Sequence, residues 1–231
     1  MEINLKPVAH IRCDLKEKFG VPRQSGLVET LTAELVFCPE YQNRDALRGI
    51  EGFTYLWLIW AFHLNRAAQR DGGWSPTVRP PRLGGNTRMG VFATRSPFRP
   101  NPLGLSCVRL LEVREDPENG PVLVLAGADL ADGTPVYDVK PYVPYADCHP
   151  EAAGGFAAET PPSLPVDCPP ALLAALPEHK RAALLGILSQ DPRPRYQDDP
   201  ERVYGLSFAG KNVRFRVAEG RVAVLGIIDM E

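Results

Sequence analysis

The chain has 231 residues, 44% hydrophobic and 23% charged, with a formal net charge of −2. Those values describe an ordinary globular protein with room for one large domain, or one domain and a small appendage. They exclude a protein that attracts polyanions through net charge, and the longest apolar run, Phe53 to Leu64, is too short to cross a bilayer.

Met1 to Asp14 mixes charges with apolar residues and does not read as a signal peptide. The five cysteines are odd in number and scattered, without C-x-x-C or Cys/His clustering. Neither a disulfide framework nor a metal site is therefore indicated, and a cytoplasmic protein with reduced thiols is expected.

In chain order, Ile3 to Ile11 alternates as a first strand, which Pro7 confines to an edge or a strand start. Lys16 to Leu27 is a loop punctuated by glycine and proline, presenting Arg23 and Gln24 on a stiff frame. Leu27 to Phe37 alternates as a second strand, and Asn43 to Ile50 resembles a short helix. Phe53 to Phe62 is rich in β-branched and aromatic residues and reads as a central strand buried on both faces. His63 ends that run, where a histidine serves either as a structural hydrogen-bonder or as a site residue.

The stretch from Arg79 to Ser106 holds Arg79, Arg82, Arg88, Arg95 and Arg99, and no acid occurs between Asp71 and Glu112. Prolines stiffen this segment and glycines let it turn, with Met89 to Thr94 as a short strand between two loops. Guanidinium groups on rigid loops suit an anionic ligand, although single arginines also tie loops to carboxylates. Cys107 to Val113 and Val122 to Ala126 read as strands about the turn Asp116 to Gly120. Asp132-Gly133 signals another turn, followed by a strand from Val136 to Lys140, so Asp129, Asp132 and Asp138 fall near one another. Such carboxylates suit ribose hydroxyls or a cation, and they are equally ordinary turn residues.

Ala146 to Pro170 loses apolar periodicity and reads as a linker or arm. Pro170 to Leu188 carries leucines at helical spacing with a break at Pro177. Three strands follow (Val203 to Phe208, Lys211 to Val217, Arg221 to Ile228), after a basic-aromatic loop containing Arg193, Arg195 and Tyr196. The expected fold is mainly β: a barrel-like main domain over 1–147, a linker over 148–169 and a small α+β appendage over 170–231. Many short strands without alternating helices argue against a doubly wound sheet.

The runs VPRQSGLV, RGIEGFTYLWLIWAFH, PPRLGGNTRMGVFATRSPFRPNPLGLS and DLADGTPVYDVKPYVPYAD resemble the TsaA family, also called TrmO, as does DPRPRY in the appendage. The resemblance implies a β-barrel tRNA methyltransferase that uses S-adenosylmethionine to methylate N6 of N6-threonylcarbamoyladenosine beside the anticodon, and a homodimer. Carried over by motif, the cofactor would meet Pro22, Arg23, Gln24, His63, Leu64, Arg95, Leu105 and the turn Asp132, Gly133, Thr134 and Pro135. Leu64 departs from the glutamine of many bacterial members. Arg88, Arg99, Arg193, Arg195 and Tyr196 are candidate tRNA contacts, and Asp138 and His63 are candidate proton acceptors. A non-catalytic RNA or nucleotide-binding module is the competing reading; a hydrolase lacks an obvious nucleophile and base.

Overall fold

The computed structural model describes residues 3–65, 74–194 and 199–230. Its strands in the first two thirds are β1 (Ala9–Cys13), β2 (Thr32–Phe37), β3 (Tyr55–Ala61), the two-residue β4 (Thr77–Val78) and β5 (Met89–Gly90), β6 (Leu103–Asp116), β7 (Gly120–Ala126) and β8 (Pro135–Pro141). Six of them run in the order β1-β2-β7-β6-β3-β8, and β1 closes onto β8 to complete a barrel. That closing seam is short, with only Ala9↔Val136 and His10↔Pro135 in register. Inside lie Ile11, Leu35, Leu56, Leu58, Val108, Leu123, Leu125 and Val136.

The seven residues of β3 alternate in burial instead of being covered on both sides. Leu56, Leu58 and Trp60 fill the barrel, and Tyr55 is exposed on the outside. A closed barrel has one interior, so a strand in it buries one face whatever its local apolarity. Across β3 and β6, Trp60 faces Gly104, and any Cβ at 104 would sit 2.2 Å from the indole. The glycine is what lets the Trp60 ring lie flat against the neighbouring strand.

Other expectations shift in detail. The first strand starts at Ala9, beyond Pro7, and the second at Thr32 rather than Leu27. Asn43 to Gly52 forms 3-10 turns instead of a helix, with the Asn43 side chain accepting from the Asp45 N–H at 2.9 Å. Only Met89–Gly90 of the Met89 to Thr94 run pairs as strand, and Val91–Ala93 is a 3-10 turn.

The remainder is a second layered unit. The sheet β10 (Tyr204–Phe208), β11 (Lys211–Ala218) and β12 (Arg221–Asp229) is joined by the short parallel β9 (Val166–Asp167), inside the stretch expected to be linker. After the four-residue α1 (Pro144–Asp147) and α2 (Pro170–Leu173), α3 (Glu178–Ser189) packs Leu184, Ile187 and Leu188 onto that sheet. Its hairpins turn through Ala209-Gly210 and Glu219-Gly220, all four residues at positive φ, as tight two-residue turns require. Leu15, Val28 and Leu31, which lie between β1 and β2, are buried in this second core and not in the barrel. This is why β2 begins late: Val28 and Leu31 point into the neighbouring unit. Phe19 packs against both Tyr204 and Phe215, with ring centroids at 6.4 and 6.3 Å, and a Cβ on Gly20 would meet Leu206 at 2.2 Å. Among the described residues, no helix is long and apolar enough to cross a membrane.

Candidate functional site

A cavity of about 640 Å³ opens at the barrel end where β3 stops and β6 starts. Trp60 and Phe62 from β3 and its exit, Leu103, Gly104 and Leu105 from β6, and Leu130 give it apolar walls. The loop before β2 supplies Lys18, Val21, Pro22, Arg23 and Gln24; the rigid loop before β6 supplies Thr94, Arg95, Arg99 and Asn101. An apolar cleft of this size with a few convergent polar groups suits a small organic ligand.

The loops are tied together. Gly26 N–H donates to the Gly127 carbonyl at 2.8 Å, and a Cβ on Gly127, at φ +72°, would lie 3.3 Å from the Gly26 backbone. Arg95 donates from Nη1 to Gln24 Oε1, joining the arginine-rich stretch to the first loop. Arg99 donates to the Thr94 carbonyl at 3.1 Å, which folds its own loop.

His63 lines the cavity, and burial pushes its imidazole below the ordinary histidine value, opposed by a hydrogen bond to the Asp132 backbone. Its folded pKa is depressed, so the neutral ring persists at neutral pH and protonation needs more acid than for a free histidine. A cationic ligand should bind with constant affinity from pH 8 down to about the free-histidine value. Affinity should then weaken as the ring gains charge, a decline that a His63→Gln variant makes shallower in calorimetry across pH.

Eight of the expected cofactor residues line this one cavity: Pro22, Arg23, Gln24, His63, Leu64, Arg95, Leu105 and Thr134. Asp132, Gly133 and Pro135 do not. The Asp132 carboxylate accepts from the Cys13 N–H at 2.8 Å and pairs with Lys16 at 2.8 Å. It braces the chain after β1, and Gly133, at φ +72°, completes the turn. Arg95→Ala should therefore weaken ligand binding with little change in Tm, while Asp132→Ala should lower Tm as well. Titration and thermal unfolding of both variants check this, and equal Tm values would remove the structural role of Asp132.

Asp138 sits on β8 opposite Ile59, bonded to the Val139 N–H at 2.9 Å and to Lys140 at 3.0 Å, away from the cavity lining. Arg88 bonds Thr77 Oγ1 at 3.1 Å and is likewise not in the lining, whereas Arg99 is. Arg193 binds Asp191 through Nε at 2.8 Å and Nη2 at 3.0 Å, and its side chain is only 13% exposed. Its carbonyl accepts from Arg23 at 3.2 Å, joining the second unit to the cavity loop. Arg195 and Tyr196 lie outside the described residues.

Asp129, indistinct in the sequence from its two turn neighbours, also lines the cavity. It accepts from Ser106 Oγ at 2.6 Å, and the fully buried Ser106 accepts from Trp60 Nε1 at 2.9 Å. Burial pushes this carboxyl above its ordinary value, and the Ser106 hydroxyl opposes the shift. The sequence signal that could have found it is register: Ser106 points inward on β6, where an apolar side chain is the norm.

Residues 10–148 match the family model described as the tRNA-methyltransferase O N-terminal domain, and residues 161–230 match that of the TrmO C-terminal domain. The chain belongs to the TrmO family. A tRNA (adenine(37)-N6)-methyltransferase of Escherichia coli K12 is 43% identical over 226 residues, covering 94% of each chain. A Pseudomonas aeruginosa protein named as a putative S-adenosylmethionine-dependent methyltransferase is 41% identical over 89% of each. A crystal structure of TrmO from Pseudomonas aeruginosa superposes with a TM-score of 0.78 at 32% identity, covering 98% of both chains.

Proposed function

We propose that the chain is a tRNA methyltransferase that carries a methyl group from S-adenosylmethionine to N6 of adenosine 37, with the threonylcarbamoyl-modified base as acceptor. The observation that carries this reading is the single cavity shared by the loop before β2, the end of β3 and the arginine-rich loop. The donor set suits the cofactor: apolar and aromatic walls for the adenine, Thr134 and Gln24 for its hydroxyls and amide-like edges, and arginines for its carboxylate. Leu64 contributes a wall, so any polar contact there comes from its backbone.

S-adenosylmethionine supplies an electrophilic methyl group on a sulfonium sulfur. The protein's residues hold the acceptor nitrogen in line with that methyl, which replaces a bimolecular encounter with a fixed geometry. Trp60 and Phe62, whose ring centroids lie 4.4 Å apart, give the cavity an apolar wall. His63, kept neutral by burial, donates one ring N–H to the Asp132 carbonyl and leaves its other nitrogen to receive the N6 proton. His63 is preferred to Asp138 for this role because Asp138 pairs with Lys140 outside the cavity lining. Arg99, at the cavity, pairs with the threonyl carboxylate.

The assignment divides the chain into a catalytic barrel over 1–147, a connecting stretch that ends before β9, and a unit over 161–231 that supports the cavity loop and meets tRNA. Exposed Tyr55 on β3 and Leu111 on the neighbouring β6 support a homodimer through that outer face. Five free cysteines support a cytoplasmic site. The test is transfer of labelled methyl to tRNA followed by nucleoside analysis. Label on N6 of the modified adenosine is expected; cofactor binding without transfer would leave the non-catalytic module.

A further inference from the structure

Among the described residues lining the cavity, Lys18, Arg23, Arg95 and Arg99 are cationic, and Asp129 is the one carboxylate. S-adenosylmethionine bears an ammonium, a carboxylate and a sulfonium, so it enters with a net positive charge that this lining would otherwise repel. The sulfonium has no N–H or O–H to donate. Only a negative charge, a dipole or an aromatic face can recognise it.

We propose that Asp129 senses the sulfonium charge, so that the cavity holds the methyl donor more tightly than the neutral thioether left after transfer. This rests on the cofactor reading above.

Two features suit Asp129 to the role. The Trp60–Ser106–Asp129 chain of hydrogen bonds runs in one direction, from indole to hydroxyl to carboxylate, and fixes the acidic group from behind. The side chain follows the loop pinned by the Gly26–Gly127 contact, so it is placed by rigid backbone. A charge held out of water is weakly screened and acts strongly on its neighbours. Burial raises its pKa against the opposing pull of the Ser106 hydroxyl, backbone N–H groups and the Arg95 charge, so the carboxylate is only partly compensated. Once the methyl group has left, the sulfur is neutral and that attraction ends, which favours release of the product.

The sign for stability follows from the same burial. A folded pKa above the unfolded one means that the native state binds more protons between the two values. This carboxyl therefore contributes less to stability as pH rises through that window, and costs stability above it. Asp129→Asn keeps an acceptor for Ser106 and should raise the Tm of the ligand-free protein at neutral pH.

The experiment is calorimetric titration of the full chain with S-adenosylmethionine and with its demethylated product, S-adenosylhomocysteine. Wild type should prefer the donor. Asp129→Asn should lose about tenfold or more in donor affinity and less than about threefold for the product, so that the preference collapses. Equal losses for both ligands would assign Asp129 to a group they share, the ammonium or the ribose, and overturn the proposal. So would unchanged affinities, or a wild type that binds the product as tightly as the donor, a result that needs no variant. Wild type binding neither ligand would sink the cofactor reading as well, which separates the two failures.

Discussion

tRNA whose adenosine 37 lacks the threonylcarbamoyl group is expected to be methylated with a kcat/KM lower by tens- to thousands-fold. The cause is a missing carboxylate. Arg99 is held at the cavity by its bond to the Thr94 carbonyl, and a partly desolvated guanidinium without its partner costs about 2–5 kcal/mol. If the pair persists in the transition state, that cost appears in kcat/KM. Arg99→Ala should slow the modified tRNA and hardly change the weak reaction of the unmodified one. Arg88→Ala should leave this discrimination intact, because Arg88 is bonded to Thr77 away from the cavity. A transfer assay on the two tRNAs measures both effects, and equal rates on them would end the carboxylate pairing.

Removal of residues 161–231 is expected to abolish cofactor binding, even though the cavity lining belongs to the other part of the chain. Leu15, Val28 and Leu31 are buried in the second core, and Phe19 stacks there on Tyr204 and Phe215. Each large apolar side chain returned to water costs about 1.5–3 kcal/mol. For three of them the loss approaches the whole stability of a domain, about 5–15 kcal/mol. The loop that carries Pro22, Arg23 and Gln24 would then have no anchor. Gly20→Ala is a milder form of the same lesion, because it combines positive φ with a collision at Leu206. Its affinity for S-adenosylmethionine should fall while the barrel still melts cooperatively. A truncated chain that binds the cofactor as wild type does would refute the anchoring role.

Elements whose signals are local were readable from the sequence. The Ala209-Gly210 and Glu219-Gly220 turns were legible from Gly210 and Gly220, which take positive φ without strain, and Pro177 marked the helix break because it lacks an N–H. What escaped depended on partners distant in the chain. The apolar run around β3 could not reveal that only one face would be buried, since barrel closure is a property of six strands. Val28 and Leu31 continued the pattern of β2 yet belong to a core assembled 150 residues later. The three nearby aspartates were equivalent on paper. Packing separates them, with Asp132 bracing Cys13, Asp138 paired with Lys140 and Asp129 facing the cavity. The arginine-rich stretch divided in the same way: Arg95 and Arg99 reach the cavity, while Arg82 donates to the Glu159 carbonyl.

The short seam between β1 and β8 has a kinetic consequence. It rests on few backbone bonds, among them Val8 N–H to the Val136 carbonyl at 2.8 Å and Ile11 N–H to the Thr134 carbonyl at 3.0 Å, and Pro135 has no N–H to add. Its end at Ala131 and Thr134 is also the cavity rim. Local opening is easiest where few bonds must break together, so amide exchange should be fastest along this line of the barrel. A ligand that bridges the rim would slow exchange on both sides of it. Exchange along β1 and β8 would therefore report occupancy of the cavity without any assay of methyl transfer.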